Sequence, residues 1–295
     1  IANSSWYINH YRRNLLKKLK SLDLYNVVTI SPLDEHSKDL SKISLNIPWR
    51  ISRSGNKNLL RLIISLFRLI LIFRSLKPRL VHSHTLKTNF LTAITSFIFG
   101  TRCVISFAGL GQITNSRGIK RILFILIIKT IGFLSSRQIE NQHILKNEKR
   151  TAFIFQNKKD MQFIKKIIKI PDSNTHLIFG SGVPNHFLKT RNNNHWIKIK
   201  RDLFKEKNIE FHLIYLGRLL KSKGILTFIQ VASSYTNLNA SVFGSIDLSS
   251  NDSLKKDDIK IFKNNYPNIH FHGFVKDPLL NNRIKNPILV IPSTY

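Results

Sequence analysis

Apolar residues fall along this chain in two alternating rhythms: short runs of four or five, and longer stretches that repeat every three and four positions. Over residues 6–22, Leu15, Leu16, Leu19 and Leu22 share one face with lysine and arginine between them, which predicts an amphipathic helix. Residues 27–30 read as a short strand ending at Ser31-Pro32. The stretch 59–76 is apolar almost all round but is interrupted by Arg61, Arg68 and Arg74, and Lys77-Pro78 ends it. Residues 119–135 repeat that character, with Lys120, Arg121 and Lys129 set among Ile, Leu and Phe. Short strands are predicted at 80–82, 103–106, 151–155 and 176–179. A helix over 89–99 separates the first two, and a small basic helix closes over 164–170. Strand, helix and strand at crossover spacing are the mark of a parallel sheet.

Beyond the asparagine-rich stretch 191–195 the pattern begins afresh. A strand at 211–216, a helix from Gly224 to about Tyr235, and strands at 240–243 and 269–271 follow. Residues 287–293 read as a short buried strand running into a turn. The expected fold class is therefore α/β with two domains, 1–195 and 196–295. The ends are expected to be cuts: Ile1 to Ser5 reads as the tail of a strand followed by a helix cap, and the last strand stops two residues before Tyr295. The second domain is accordingly expected to be incomplete.

Composition narrows the partners. At 295 residues and 42% hydrophobic the chain can bury two cores, which excludes a disordered tail. Against 47 Lys and Arg stand 16 Asp and Glu, a formal charge of +31, so the partners are anionic: phosphate-bearing substrates, a membrane surface or nucleic acid. Nucleic acid is not expected, because the basic residues are scattered and neither a reading helix nor a paired aromatic sheet motif is present. The arginines in 59–76 argue against a spanning helix, since each costs about 2.5–3.5 kcal/mol near a bilayer centre. Basic residues beside apolar surface suit attachment to an anionic leaflet instead. The single Cys103 forms no internal disulfide and leaves a cysteine-based zinc cluster without ligands, which fits a reducing compartment. A nicotinamide oxidoreductase is disfavoured, because no three-glycine fingerprint follows a strand and opens a helix.

Open parallel sheets bind ligands beyond the carboxyl ends of their strands, so the glycine-bearing loops there are the candidate sites. Phe107-Ala108-Gly109-Leu110-Gly111-Gln112 permits a tight turn and close backbone approach to a ligand. Gly180-Ser181-Gly182-Val183-Pro184 follows a later strand. Gly217-Arg218, with Lys221, Lys223 and Gly224 close behind, is the strongest of the three. Arg218 offers a planar fork of donors, Lys223 a mobile point charge, and the helix start free N–H groups, together suited to two adjacent phosphates. A solvated basic loop would have the same composition. His82 and His84 lie two apart but lack a third metal ligand, so no metal is expected and His84 is read as a hydrogen-bonding residue at the cleft. Asn157 and Asp160 are either polar cleft residues or the cap of the following helix.

The run Gly217-Arg218-Leu219-Leu220-Lys221-Ser222-Lys223-Gly224 resembles the donor-phosphate motif of the bacterial glycosyltransferases of family 4, which have the GT-B fold of two facing Rossmann-like domains. Other motifs resemble that family in order: Val81-His82-Ser83-His84-Thr85, Phe155-Gln156-Asn157-Lys158-Lys159-Asp160, Gly180-Ser181-Gly182-Val183 through Phe187, Phe243-Gly244, His272-Gly273-Phe274 and Val290-Ile291-Pro292-Ser293. The subgroup carrying Gly109-Leu110-Gly111 is similar to enzymes that extend lipid-linked or surface polysaccharide units from UDP-sugars. The resemblance implies glycosyl transfer with retention of configuration and without metal or other cofactor. Arg218 and Lys223 would neutralise the leaving diphosphate, and His84 would act near the reacting sugar. Gly109, Leu110, Gly111, Gly182, Gly217, Gly244, Arg218 and Lys223 would bind the nucleotide-sugar donor. It further implies a lipid-linked or polysaccharide acceptor held by the first domain, and a peripheral place on the cytoplasmic face of the inner membrane. Ala108 stands where many relatives carry a histidine. The paired glutamates of the family would lie past Tyr295, so the 295-residue chain is expected to turn over weakly or not at all, or to act as a non-catalytic sugar-nucleotide binder.

Overall fold

A computed structural model describes residues 1–51, 59–115, 117–140, 151–182, 211–248, 252–275 and 286–293, with Ser250, Pro278 and Ile284. The chain divides into two compact units, Ile1–Asn185 and His186–Tyr295. The asparagine-rich stretch 191–195, read above as a linker, lies outside the described residues.

The first unit is built of α1 (Ser5–Tyr11), α2 (Arg13–Ser21), β1 (Val28–Ser31), α3 (Ser37–Ser41), β2 (Leu45–Pro48), α4 (Leu59–Leu76), β3 (Leu80–His84), α5 (Leu86–Phe99), β4 (Arg102–Phe107), α6 (Ile119–Glu140), β5 (Thr151–Phe155), α7 (Lys158–Ile167) and β6 (Thr175–Leu177). β1 and β2 pair in parallel, and a four-stranded sheet runs β3-β4-β5-β6, also parallel throughout. Residues 1 and 2 join the two: the Ile1 amine donates to the His82 carbonyl at 2.6 Å, the His84 N–H donates to Ile1 at 3.0 Å, and the Ala2 N–H donates to Ile30 at 3.1 Å.

Alternation along the strands explains the core. Cys103, Ile105 and Phe107 of β4, with Phe153 and Phe155 of β5, pack against Phe124, Ile128 and Ile131 of α6 and Ile164 of α7. Phe107 and Phe155 stack with their ring centres 5.2 Å apart. A second cluster gathers Leu69 and Phe73 of α4, Leu91 of α5 and Val81 of β3 around Trp49, whose indole N–H donates to the Ser65 carbonyl at 2.8 Å. That bond lets a fully buried tryptophan satisfy its one polar atom.

The second unit contains β7 (His212–Leu216), a short 3-10 turn Lys221–Lys223, α8 (Ile225–Ser234), β8 (Asn239–Phe243), α9 (Lys256–Asn265), β9 (Ile269–Gly273) and β10 (Pro287–Leu289). Its sheet runs β10-β7-β8-β9, all parallel. Leu213 and Tyr215 of β7 and Ala240 and Val242 of β8 pack against Ile225, Phe228, Ile229 and Ala232 of α8.

Three sequence expectations are corrected. The single helix over 6–22 is two helices that meet at Arg12, whose φ of −123° and ψ of −1° break the helical geometry. There Arg12 turns back to donate from Nη2 to the Tyr7 hydroxyl at 3.1 Å, a tertiary contact that no glycine or proline announces. The short strand expected to run into a turn within 287–293 is present as Pro287–Leu289, but those residues are exposed rather than buried. Leu15 and Leu22, expected on a buried face, are exposed.

Candidate functional site

In the second unit, Gly217 ends the pairing of β7, and the chain turns through Arg218 to the 3-10 turn Lys221–Lys223 and then into α8. Arg218, Lys223 and Gly217 line one cavity of about 190 Å³, with Tyr215 and Leu216 of β7 and with Val290 to Ser293 beyond β10. The cavity therefore opens at the carboxyl ends of two adjacent parallel strands, where open α/β sheets place their ligands. The first turn of α8 begins two residues past Lys223, and no side chain caps its backbone N–H groups.

Two glycines make this packing possible. Gly224 has φ +75°, and a Cβ there would lie 2.1 Å from the Pro292 carbonyl oxygen. A Cβ on Gly244, at the end of β8, would lie 1.8 Å from the Gly217 carbonyl oxygen. The backbones around the cavity thus approach one another more closely than any side chain permits.

The loop following β8 holds the cationic loop in place. The N–H groups of Leu219 and Lys221 donate to the carbonyls of Ser245 at 3.2 Å and Asp252 at 2.9 Å, and Leu254 returns a bond to Leu219 at 2.8 Å. The Asp252 carboxylate accepts the Ser222 N–H at 3.1 Å and the Ser222 hydroxyl. Asp247 Oδ2 lies 2.6 Å from Arg218 Nη1. The Tyr215 hydroxyl donates to the Arg218 carbonyl at 2.8 Å. Asp247 and Asp252 were missed by the sequence reading; the available signal was their place just past the end of a strand, beside a loop that carries three cations.

In the first unit the glycine loop is anchored by the very pair whose role the sequence left open. Asn157 caps α7 by accepting the Asp160 N–H at 2.7 Å. The buried Asp160 carboxylate in turn accepts the Leu110 N–H at 2.9 Å and Asn157 Nδ2 at 2.8 Å, both through Oδ2. Gly109 and Gly111 flank that bond at φ +102° and +56°, so Leu110 is pulled inward between two turns that side chains rarely adopt.

His84 closes β3 and is 4% exposed. Its ring lies 4.2 Å from that of His82 and 5.3 Å from that of Tyr7, and its Nδ1 has no hydrogen-bond partner. Burial drives its pKa well below the ordinary value, with the neighbouring His82 and Arg12 adding to the effect. His82 bonds the Ser106 hydroxyl at 2.6 Å, and burial pushes it down to about 3. Both imidazoles are therefore neutral at pH 7. Thr85, immediately after, sits at φ +75°, a strained position for a β-branched residue, where its hydroxyl meets that of Thr88 at 2.9 Å. Gly182, at φ +77°, has open space where its Cβ would stand and ends the described part of this unit. No group of three metal-ligating side chains occurs among the described residues.

No protein-family profile matches the chain. It is similar to the capsular polysaccharide biosynthesis glycosyltransferase CapM of Staphylococcus aureus, with 27% identity over 220 residues that cover 73% of this chain. The chain spans about half (53%) of the length of that relative. Among solved structures, Anabaena HepE in complex with UDP superposes with a TM-score of 0.59 at 16% identity, over 94% of this chain and 69% of that one. Sucrose-phosphate synthase of Thermosynechococcus elongatus gives 0.62 at 14% identity, over 96% and 69%. A Rickettsia africae glycosyltransferase gives 0.58 at 16%, over 92% and 65%. The fold is accordingly that of GT-B proteins, with two Rossmann-like α/β domains.

Proposed function

We propose that the protein is a retaining glycosyltransferase that moves a sugar from a nucleotide-sugar donor, of UDP type, to a lipid-linked or polysaccharide acceptor. The observation that carries this reading is the convergence of Arg218 and Lys223 on one cavity at the carboxyl ends of β7 and β10, beside the start of α8. As the bond between the anomeric carbon and the phosphate oxygen breaks, negative charge builds on the departing diphosphate. Two cations and a row of N–H groups fixed at that place stabilise the charge without reorganising. Arg218 supplies several donors in one plane, and its pair with Asp247 engages one nitrogen. Gly217 lets the donor approach the backbone, Gly244 leaves room for the Gly217 carbonyl and so lets the donor loop close, and Gly182 serves a chain turn of the first unit.

The first unit takes the acceptor. The loop Gly109, Leu110, Gly111, held by Asp160, and the neutral His84 close the carboxyl ends of β4 and β3, and there they bind sugar, the loop that of the donor. A neutral imidazole accepts or donates a hydrogen bond to a sugar hydroxyl without adding a charge of its own. The relative that acts in capsular polysaccharide biosynthesis and the UDP-bound fold neighbour support the choice of donor and acceptor class. A lipid-linked acceptor puts the protein at the cytoplasmic face of a membrane, in contact with anionic lipid.

Ligand-observed magnetic resonance with a panel of UDP-sugars tests the reading. Saturation transfer to the uridine and sugar protons in the parent is expected, and its loss in Arg218→Ala and Lys223→Ala. Undiminished transfer in both folded variants overturns it.

A further inference from the structure

The outer surface of α4 and α6 is apolar where a helix facing water is ordinarily polar. Inward, α4 buries Ser65, Leu69 and Phe73, as its packing against the sheet requires. Outward, in its first half, Leu60, Ile64 and Phe67 are exposed. The first half of α6 repeats this: Phe124 and Ile128 are buried, while Ile119, Ile122 and Leu123 are 76%, 59% and 54% exposed. α5 packs against both helices and lies between them. Arg61 and Arg68 on α4, and Lys120, Arg121 and Lys129 on α6, are exposed on the same elements. Yet no described helix is long and apolar enough to cross a membrane.

The charge of this region is one-sided in a way the total does not reveal. From residue 40 to residue 139 the sequence holds no Asp or Glu at all, against sixteen Lys and Arg. A second copy of the same surface would bring like charges together, and an ordinary neutral partner leaves them unpaired. Apolar side chains beside cations with long aliphatic stems are the chemistry of the boundary between lipid headgroups and acyl chains.

Topology gives this surface a direction. In a parallel sheet each helix runs back against the strands, so the first halves of α4 and α6 lie at the carboxyl edge of β3 and β4. That edge carries His84, and the Gly109–Gly111 loop runs from it through a 3-10 turn, Gly111–Asn115, that packs on α6.

We infer that the first halves of α4 and α6 form a docking face for an anionic lipid leaflet and seat the carboxyl edge of the first unit at the level of the headgroups. Outward leucines, isoleucines and Phe67 enter the boundary, and the basic side chains take the phosphates. The inference deepens the acceptor half of the proposed function, and rests on it only for the statement that the acceptor arrives from that leaflet. The docking itself stands on the surface alone.

The test is co-flotation of the full chain with vesicles of phosphatidylglycerol and phosphatidylcholine, compared with phosphatidylcholine alone, with UDP binding measured in parallel as a reporter of the second unit. Partition into anionic vesicles is expected to exceed that into neutral ones at least tenfold and to fall with salt. The paired substitutions Leu60→Asp with Ile64→Asp, and Ile122→Asp with Leu123→Asp, should each lower it by roughly tenfold or more. Lys120→Ser with Arg121→Ser should remove most of the anionic preference, by roughly tenfold. UDP binding should be the same in every variant. Equal partition into the two vesicle types, or partition unchanged in both aspartate pairs, overturns the inference. A concentration-dependent dimer that the aspartate pairs dissolve, without vesicle binding, assigns the face to a second copy instead. Loss of UDP binding in the parent would refute the donor reading and leave this one intact.

Discussion

Replacing Asp160 with alanine removes the acceptor that holds the glycine loop of the first unit. Its Oδ2 accepts the Leu110 N–H at 2.9 Å and Asn157 Nδ2 at 2.8 Å, in a site where Asp160 and Leu110 are each only 9% exposed. A hydrogen bond to a charged group is worth about 1.5–3 kcal/mol, and the Leu110 N–H, left buried between two glycines in left-handed turns, finds no ready replacement. The expected loss is about 2–3 kcal/mol, or roughly 30- to 150-fold in the population of open molecules. Asp160→Asn keeps one oxygen for the same two donors but loses the charge, so its loss should be about half as large.

The chain carries its own probe for this measurement. Cys103, the single cysteine, is buried in the same core as Ile164 of α7, and burial pushes its thiol up to about 12. It should therefore be inert to a thiol reagent until the first unit opens, and its labelling rate under conditions of fast reclosing reports that opening alone. Labelling should rank alanine fastest, asparagine intermediate and parent slowest. Equal rates within twofold in all three would refute the claim that Asp160 secures the loop and α7 to one another.

Two further outcomes follow from the packing and the burial. Gly224→Ala must place a methyl at φ +75° against the Pro292 carbonyl, so it should destabilise the second unit by about 2 kcal/mol or more, or displace residues 290–293 and weaken UDP binding; a thermal melt and a UDP titration that both match the parent would contradict the close approach. His82 and His84 stay neutral in the folded chain, while the unfolded chain protonates both below about pH 6.5. The unfolded state then binds more protons, so stability is full above pH 6.5 and falls as pH drops, by up to about 2 kcal/mol per histidine at pH 5. Urea melts at pH 7 and pH 5 should show that His84→Leu has a shallower pH dependence than the parent, and identical slopes would contradict the burial argument.

Much of the fold was legible because strands and helices of the core announce themselves by periodicity. The strand at 151–155 and the helix at 59–76 fall where the pattern placed them. What escaped has physical causes. β2, with the sequence Leu-Asn-Ile-Pro, is too short and too mixed to stand out, and is held by pairing with β1. The break at Arg12 coincides with a side-chain contact to Tyr7 and involves no residue that strongly disfavours helix. The strand at 287–289 keeps its place through the ladder to β7, although its side chains are exposed.

The candidate site divides the same way. Arg218 and Lys223 could be read as a pair because spacing along the chain fixes cations near a strand end. That Asp160 reaches Leu110, fifty residues away, depends on two neighbouring parallel strands and has no signature in either segment. Asp252, which secures the turn at Ser222 from the loop after the next strand, offered only its place past a strand end, which names no partner.

The claim that most needs testing is that Arg218 and Lys223 read a diphosphate. Calorimetric titration of the full chain with uridine, UMP and UDP at fixed ionic strength, repeated for Arg218→Ala and Lys223→Ala, isolates the contribution of the second phosphate. The parent is expected to prefer UDP to UMP by roughly tenfold or more, each charge-assisted contact being worth about 1.5–3 kcal/mol, and each variant should lose most of that preference while still binding uridine as the parent does. A preference for UDP that survives in both folded variants would place the diphosphate elsewhere and contradict the account.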